Sequence, residues 1–150
     1  MQGEWQRTVE SRGGQPGRSC EPRGLALAPN EDFLLVADGR NHRVVVVRAE
    51  DGAGVRQLKG PPGTLQEPIG VAVVPSTGEV LVPDWSRHCV IRFRSIEDDT
   101  VVGTLGTGRG SGPTEFICPY GLAMLDGVHC PVVCVYLQPA PILHSVFQLL

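Results

Sequence analysis

No stretch of this 150-residue chain is both long and uninterruptedly apolar. Residues 1–20 lack the continuous hydrophobic core that a secretory signal needs, so export through this start is not expected. Residues 131–150 are strongly apolar but are broken by Gln138, Pro139, Pro141, His144 and Gln148. A membrane-spanning helix wants about 20 nearly unbroken apolar residues, so this stretch reads as one that packs against protein, and no membrane partner is expected. An even, regular set of cysteines is missing as well. Cys20, Cys89, Cys118, Cys130 and Cys134 are odd in number and irregular in spacing, which does not describe a disulfide framework. The expected setting is reducing, cytoplasmic or otherwise intracellular. Charge of one sign is also lacking: 13 basic and 16 acidic residues give a net −3, which announces neither a nucleic-acid surface nor an acidic tail. Lysine is nearly absent, Lys59 being the only one, and nothing in the sequence gives that bias a function.

What is present is a repeat. Pro22-Arg-Gly-Leu-Ala-Leu-Ala-Pro29 followed by Phe33-Leu-Leu-Val-Ala-Asp38-Gly-Arg-Asn41-His42-Arg43-Val-Val-Val-Val47 is answered by Pro68-Ile-Gly-Val-Ala-Val-Val-Pro75 followed by Val80-Leu-Val-Pro-Asp84-Trp-Ser-Arg-His88-Cys-Val-Ile-Arg-Phe93. A period in the forties made of short β-rich runs is the spacing of propeller blades, small sheets that gain stability by stacking on one another. Leu25 and Leu27 alternate with Ala26 and Ala28, and Val71 and Val73 with Ala72 and Val74. That period of two, with a large and a small face, describes a strand packed between two sheets. Turn formers at 30–32 and 76–79 separate it from a second strand, 33–37 or 80–82. A third strand follows at 44–47 or 90–93, and a more polar fourth, suited to an outer rim, at 55–58 or 100–105. Between units, glycine and proline runs at 13–17, 60–63 and 103–113 carry the chain from the outer edge of one sheet to the inner edge of the next.

The expected fold is therefore all-β, an incomplete β-propeller arc of four-stranded antiparallel blades. Residues 1–20 hold a partial outer strand, at 5–10, and a linker. Blade 1 spans 21–66, blade 2 spans 67–117, and 118–150 form a divergent or truncated third blade that opens at Pro119-Tyr-Gly121 and ends in an apolar tail. Too few blades to close a ring invite three readings: a piece of a longer propeller, a ring completed by self-association, or an arc with its own caps, the tail 142–150 serving as one.

The residues 33–47, with Val-Ala-Asp at a strand end and Asn41-His42-Arg43 leading into the next strand, resemble the NHL repeat. The Pro22-x-Gly24 opening and the Phe116-x-x-Pro119-x-Gly121 lead-in look like the same family. The second unit matches in part, since Arg87, His88 and Cys89 stand at the Asn41, His42 and Arg43 positions and Pro83 replaces Ala37. The resemblance implies a propeller that closes into a disc and a partner-binding role, with some members binding RNA and others acting as peptide-amidating lyases.

Candidate chemistry is sparse. Asp38, Asn41, His42, Arg43, Asp84, Arg87 and His88 read as structural turn residues, the aspartates holding the corners by accepting backbone N–H groups and the imidazoles packing on their own turns. A metal needs three or four converging ligands, and turns on neighbouring blades hold His42 and His88 apart. Gly106-Thr-Gly-Arg-Gly-Ser-Gly112 has no following Lys-Ser or Lys-Thr, so it reads as a crossing rather than a phosphate loop. His129, Cys130 and Cys134 fit no common zinc spacing, and Ser111 stands in no nucleophile elbow. No catalytic, cofactor-binding or metal residue is expected. The best nucleic-acid patch is Trp85, Arg87, Arg92 and Arg94. The functional expectation is a non-catalytic propeller scaffold that binds protein, with an RNA-binding surface and a lyase or hydrolase fragment as the alternatives.

Overall fold

The computed structural model describes residues 11–12, 18–19, 21–110, 112, 114–124, 131–135 and 146–148. The sequence-expected strand at 5–10 lies outside them. Two residues of β1 (Ser11–Arg12) pair in parallel with β2 (Arg18–Ser19). The first four-stranded sheet is an antiparallel meander of β3 (Pro22–Leu27), β4 (Phe33–Asp38), β5 (Arg43–Arg48) and β6 (Gly54–Leu58). The second repeats it with β7 (Ala72–Val73), β8 (Val80–Asp84), β9 (Cys89–Phe93) and β10 (Val101–Leu105). A third sheet joins β11 (Pro119–Met124), β12 (Pro131–Val135) and β13 (Val146–Gln148). Residues 146–148 of the tail are thus a strand in register with β12. The described sheets form an open arc.

The β-branched run Val44–Val47 explains β5: such side chains fit a pleated sheet covered on both faces, and all four valines are buried. Stacking is direct. One core joins Ala28, Leu35, Val44, Val46 and Leu58 of the first sheet to Val71, Val73, Val80, Val82, Ile91 and Phe93 around the second. A smaller one, with Val74, Leu81 and Val90, covers the other side of the second sheet and takes in Phe116, with Leu122 of β11 against it. Burying each of these large apolar side chains contributes about 1.5–3 kcal/mol relative to exposure.

Sequence alternation treats Leu25 and Val71 as equivalents, but their fates differ. Val71 and Val73 are buried against the first sheet, whereas Leu25 and Leu27 are 64% and 51% exposed. It is the small Ala26 and Ala28 face of β3 that meets the second sheet. Leu34, Val36, Val45 and Val47 form a separate cluster.

The glycine of each Pro-x-Gly opening has a steric cause. A Cβ on Gly24 would lie 2.5 Å from the Gly70 Cα and 2.9 Å from the Ile69 carbonyl oxygen. Inner strands of successive sheets crowd together there, and only glycine lets the backbones meet. Pro83 has a visible effect too. Its carbonyl accepts the Ile69 N–H at 3.1 Å, but its nitrogen has no proton to return, and β7 shrinks to two residues against six in β3.

Candidate partner-binding face

The two described β4–β5-type turns lie at the same end of their sheets as the lead-in to the inner strand. Gly39 N–H bonds the Glu21 carbonyl at 3.3 Å, and Trp85 N–H bonds the Glu67 carbonyl at 3.0 Å. The turns 39–42 and 85–88 and the lead-ins at 21, 66–67 and 117–118 therefore share one end of the arc.

Asp38 and Asp84 anchor these turns, both fully buried. Asp38 accepts Asn41 Nδ2 at 2.8 Å and Arg43 Nε at 2.9 Å, and Arg43 is itself 1% exposed. Asp84 has no such arginine, because Cys89 takes that position. Its carboxylate instead accepts three backbone N–H groups, from Gln66 at 2.7 Å and from Glu67 and Arg87 at 3.1 Å. Burial pushes the Cys89 thiol above its ordinary pKa, with Arg87 acting the other way.

His42 and His88 close their turns in the left-handed region, at φ 53° and 55°. Their imidazoles do not stay on their own turns. His42 Nδ1 reaches the Gln66 carbonyl in the lead-in to the second sheet, and His88 Nδ1 accepts the Cys118 N–H at 3.1 Å in the lead-in to the third. A left-handed residue turns its side chain away from its own hairpin, and the next lead-in is what lies there.

The remaining candidates separate. Trp85 meets Tyr120 edge to face, ring centres 6.0 Å apart, and Arg87 Nη1 donates to the Gly63 carbonyl at 2.5 Å. Arg92 lies along β9 in a bidentate pair with Glu79, its closest contact 2.9 Å. Arg94 lies past the far end of β9, 3.6 Å from Asp98. A five-residue strand is about 17 Å long, so Trp85 and Arg87 stand at one end of the sheet and Arg94 at the other.

Exposed residues that the motif left unmarked fill the turn-bearing end. Arg23 bridges Glu21 and Glu67, both at 3.1 Å. Arg40 reaches Glu21 at 3.0 Å, and Ser86 Oγ donates to Glu67 at 2.9 Å. Hydrogen bonds from Arg23 and Arg40 hold the Glu21 carboxyl below its ordinary pKa. Together these residues line a cleft of about 620 Å³ across the mouth between the first two sheets. A signal existed in the sequence: Glu21 and Glu67 immediately precede the repeated prolines Pro22 and Pro68.

The glycine-rich crossing is occupied by its own chain. Phe116, fully buried, exchanges backbone bonds with Gly108 and Gly110, a Cβ on Gly106 would meet its ring at 2.5 Å, and the Glu115 carboxylate accepts the Gly112 N–H at 2.9 Å. Among the described residues no three His, Cys, Asp or Glu side chains gather to hold a metal, and no helix is long and apolar enough to cross a membrane. Ser111, His129 and Cys130 lie outside the described residues, as does the side chain of Cys134.

The NHL repeat signature matches residues 20–47 and 65–93. No curated protein matches the chain. Similar solved structures include the Kuenenia stuttgartiensis hydrazine synthase, at 17% identity and TM-score 0.63 over 89% of this chain and 33% of that one. U3-55K and the WD40 repeats of RRP9 are each 15% identical with TM-score 0.61 over 77% of this chain. The chain thus spans about a third of the length of each. At such identities the likeness concerns the fold, and it agrees with stacked four-stranded blades. Two stretches of the chain match the NHL repeat, each spanning three of the four strands of a blade in an open β-propeller arc.

Proposed function

We propose that this chain is a non-catalytic propeller scaffold that binds another protein through its turn-bearing end. The observation that carries this reading is the convergence at one end of Arg23, Arg40, Glu21, Glu67 and Ser86 around an open cleft, presented by turns whose aspartates are locked in the core. Rigid sheets fix the position of exposed loop side chains, which is how a scaffold recognises a partner. Polar side chains with both charges suit a protein surface. Arg92 and Arg94 already face carboxylates, so no observation favours RNA over protein. An intracellular, reducing setting goes with the free thiols of Cys89 and Cys118.

A photo-reactive residue placed at Ser86, and separately at Ser76 on the opposite end, tests the assignment in cells expressing the protein. Crosslinking to a discrete protein from position 86 and not from 76 is expected. Equal crosslinking from both, or from 76 alone, overturns the choice of face. A stoichiometric metal ion in the purified protein would overturn the non-catalytic reading.

A further inference from the structure

The two repeat histidines have the same backbone conformation and opposite proton requirements. The peptide groups linking Gln66 to Glu67 and Ile117 to Cys118 occupy equivalent places, just ahead of Pro68 and Pro119. His42 meets the carbonyl oxygen of the first peptide, so its Nδ1 must carry a proton. His88 meets the N–H of the second, so its Nδ1 must be bare. Full protonation of an imidazole puts hydrogen on both nitrogens. The His42 bond survives that change, whereas the His88 bond becomes two N–H groups pointed at each other.

We propose that His88 and Cys118 form an acid-sensitive latch between the second blade and the third sheet, and that the equivalent His42 contact between the first two blades is insensitive to acid. Histidine is the side chain whose charge ordinarily changes between about pH 5 and 8, and protonation of the ring opens the latch. Cys118 sits at φ 49°, a conformation that disfavours a residue with a Cβ. The accepted N–H helps hold it there, and losing the bond frees the lead-in to β11. The groups around the pair are the Cys118 thiol, 3.7 Å from Nδ1, Arg87 and Asp84 of the same turn, and Glu67 and Arg109, which both act on that thiol. Burial raises the thiol's pKa, so it stays neutral through the range in question and does not compete for the proton.

Nitrogen-15 NMR of the imidazoles in the intact protein tests the first half. At about pH 8 the His88 ring is expected with its proton on Nε2 and the His42 ring with its proton on Nδ1. The same proton position in both rings overturns the proposal. Amide exchange tests the second half: protection at Cys118, corrected for intrinsic rate, is expected to fall about tenfold between about pH 8 and pH 5.5, the loss of one ordinary hydrogen bond. In His88→Gln the fall is expected to vanish while protection at Val82 and Ile91 stays constant. An unchanged Cys118 amide in the native protein, or a fall that persists in His88→Gln, overturns the latch.

Discussion

The first two blades share a turn and differ in how they neutralise the aspartate inside it. Asp38 is buried with a guanidinium, Arg43, and a side-chain amide, Asn41. Asp84 is buried to the same degree on backbone N–H groups from two separate segments. In the first, Asn41 and Arg43 both lie within five residues of the aspartate. The second ties the turn to the lead-in that arrives 17 and 18 residues earlier. The Asp84 turn thus serves as a clasp between segments, and the residue at the Arg43 or Cys89 position decides whether a guanidinium meets the buried carboxylate.

The largest effect is expected where a buried charge loses its counter-charge. Arg43→Met should cost about 3–5 kcal/mol, because Asp38 then lacks its counter-charge in the core; urea unfolding reads this from the midpoint at unchanged slope. A loss under 1 kcal/mol would mean that the two turns are held alike. Next is Asp84→Asn, which keeps one accepting oxygen but turns an NH2 toward an amide donor. It should cost about 2–3 kcal/mol and should raise amide exchange at Gln66 or Glu67 as well as at Arg87, whereas loss confined to Arg87 would deny the clasp.

Gly106→Ala examines the crossing after the second blade. Its φ of 94° and the 2.5 Å approach to the Phe116 ring predict a loss of about 1–3 kcal/mol, while the same change at Gly63, where no atom lies within 4 Å of the new Cβ, should give the smaller loss. The least effect is expected from Arg94→Gln. Its partner is 3.6 Å away on the surface, and the change should stay within about 0.5 kcal/mol. The midpoint of thermal unfolding is the measurement for both.

Much of the scaffold is legible in the residues because each blade is a local meander. Strand alternation, the turns at Asp38 and Asp84 and the Pro-x-Gly openings all lie within some thirty residues, where period and turn chemistry act. Leu25 and Leu27 show the limit. Alternation separates the two faces of β3, but which face meets a neighbour depends on the direction in which the arc turns, and that is a property of stacked sheets. Arg92 and Arg94 show another. Two arginines at a spacing of two suggest a shared basic surface, yet strand pairing gives one of them Glu79 and places the other near Asp98.

The sequence by itself determined that this protein repeats a four-stranded antiparallel unit and where each unit turns. These follow from forces that act between near neighbours along the chain. Only the tertiary structure decided that Gly24 abuts Gly70, that Arg23 joins Glu21 to Glu67 across a cleft, and that His42 must donate where His88 must accept. Those facts depend on the offset between one blade and the next, and a shift of a few ångströms there exchanges a carbonyl for an N–H without changing any local preference.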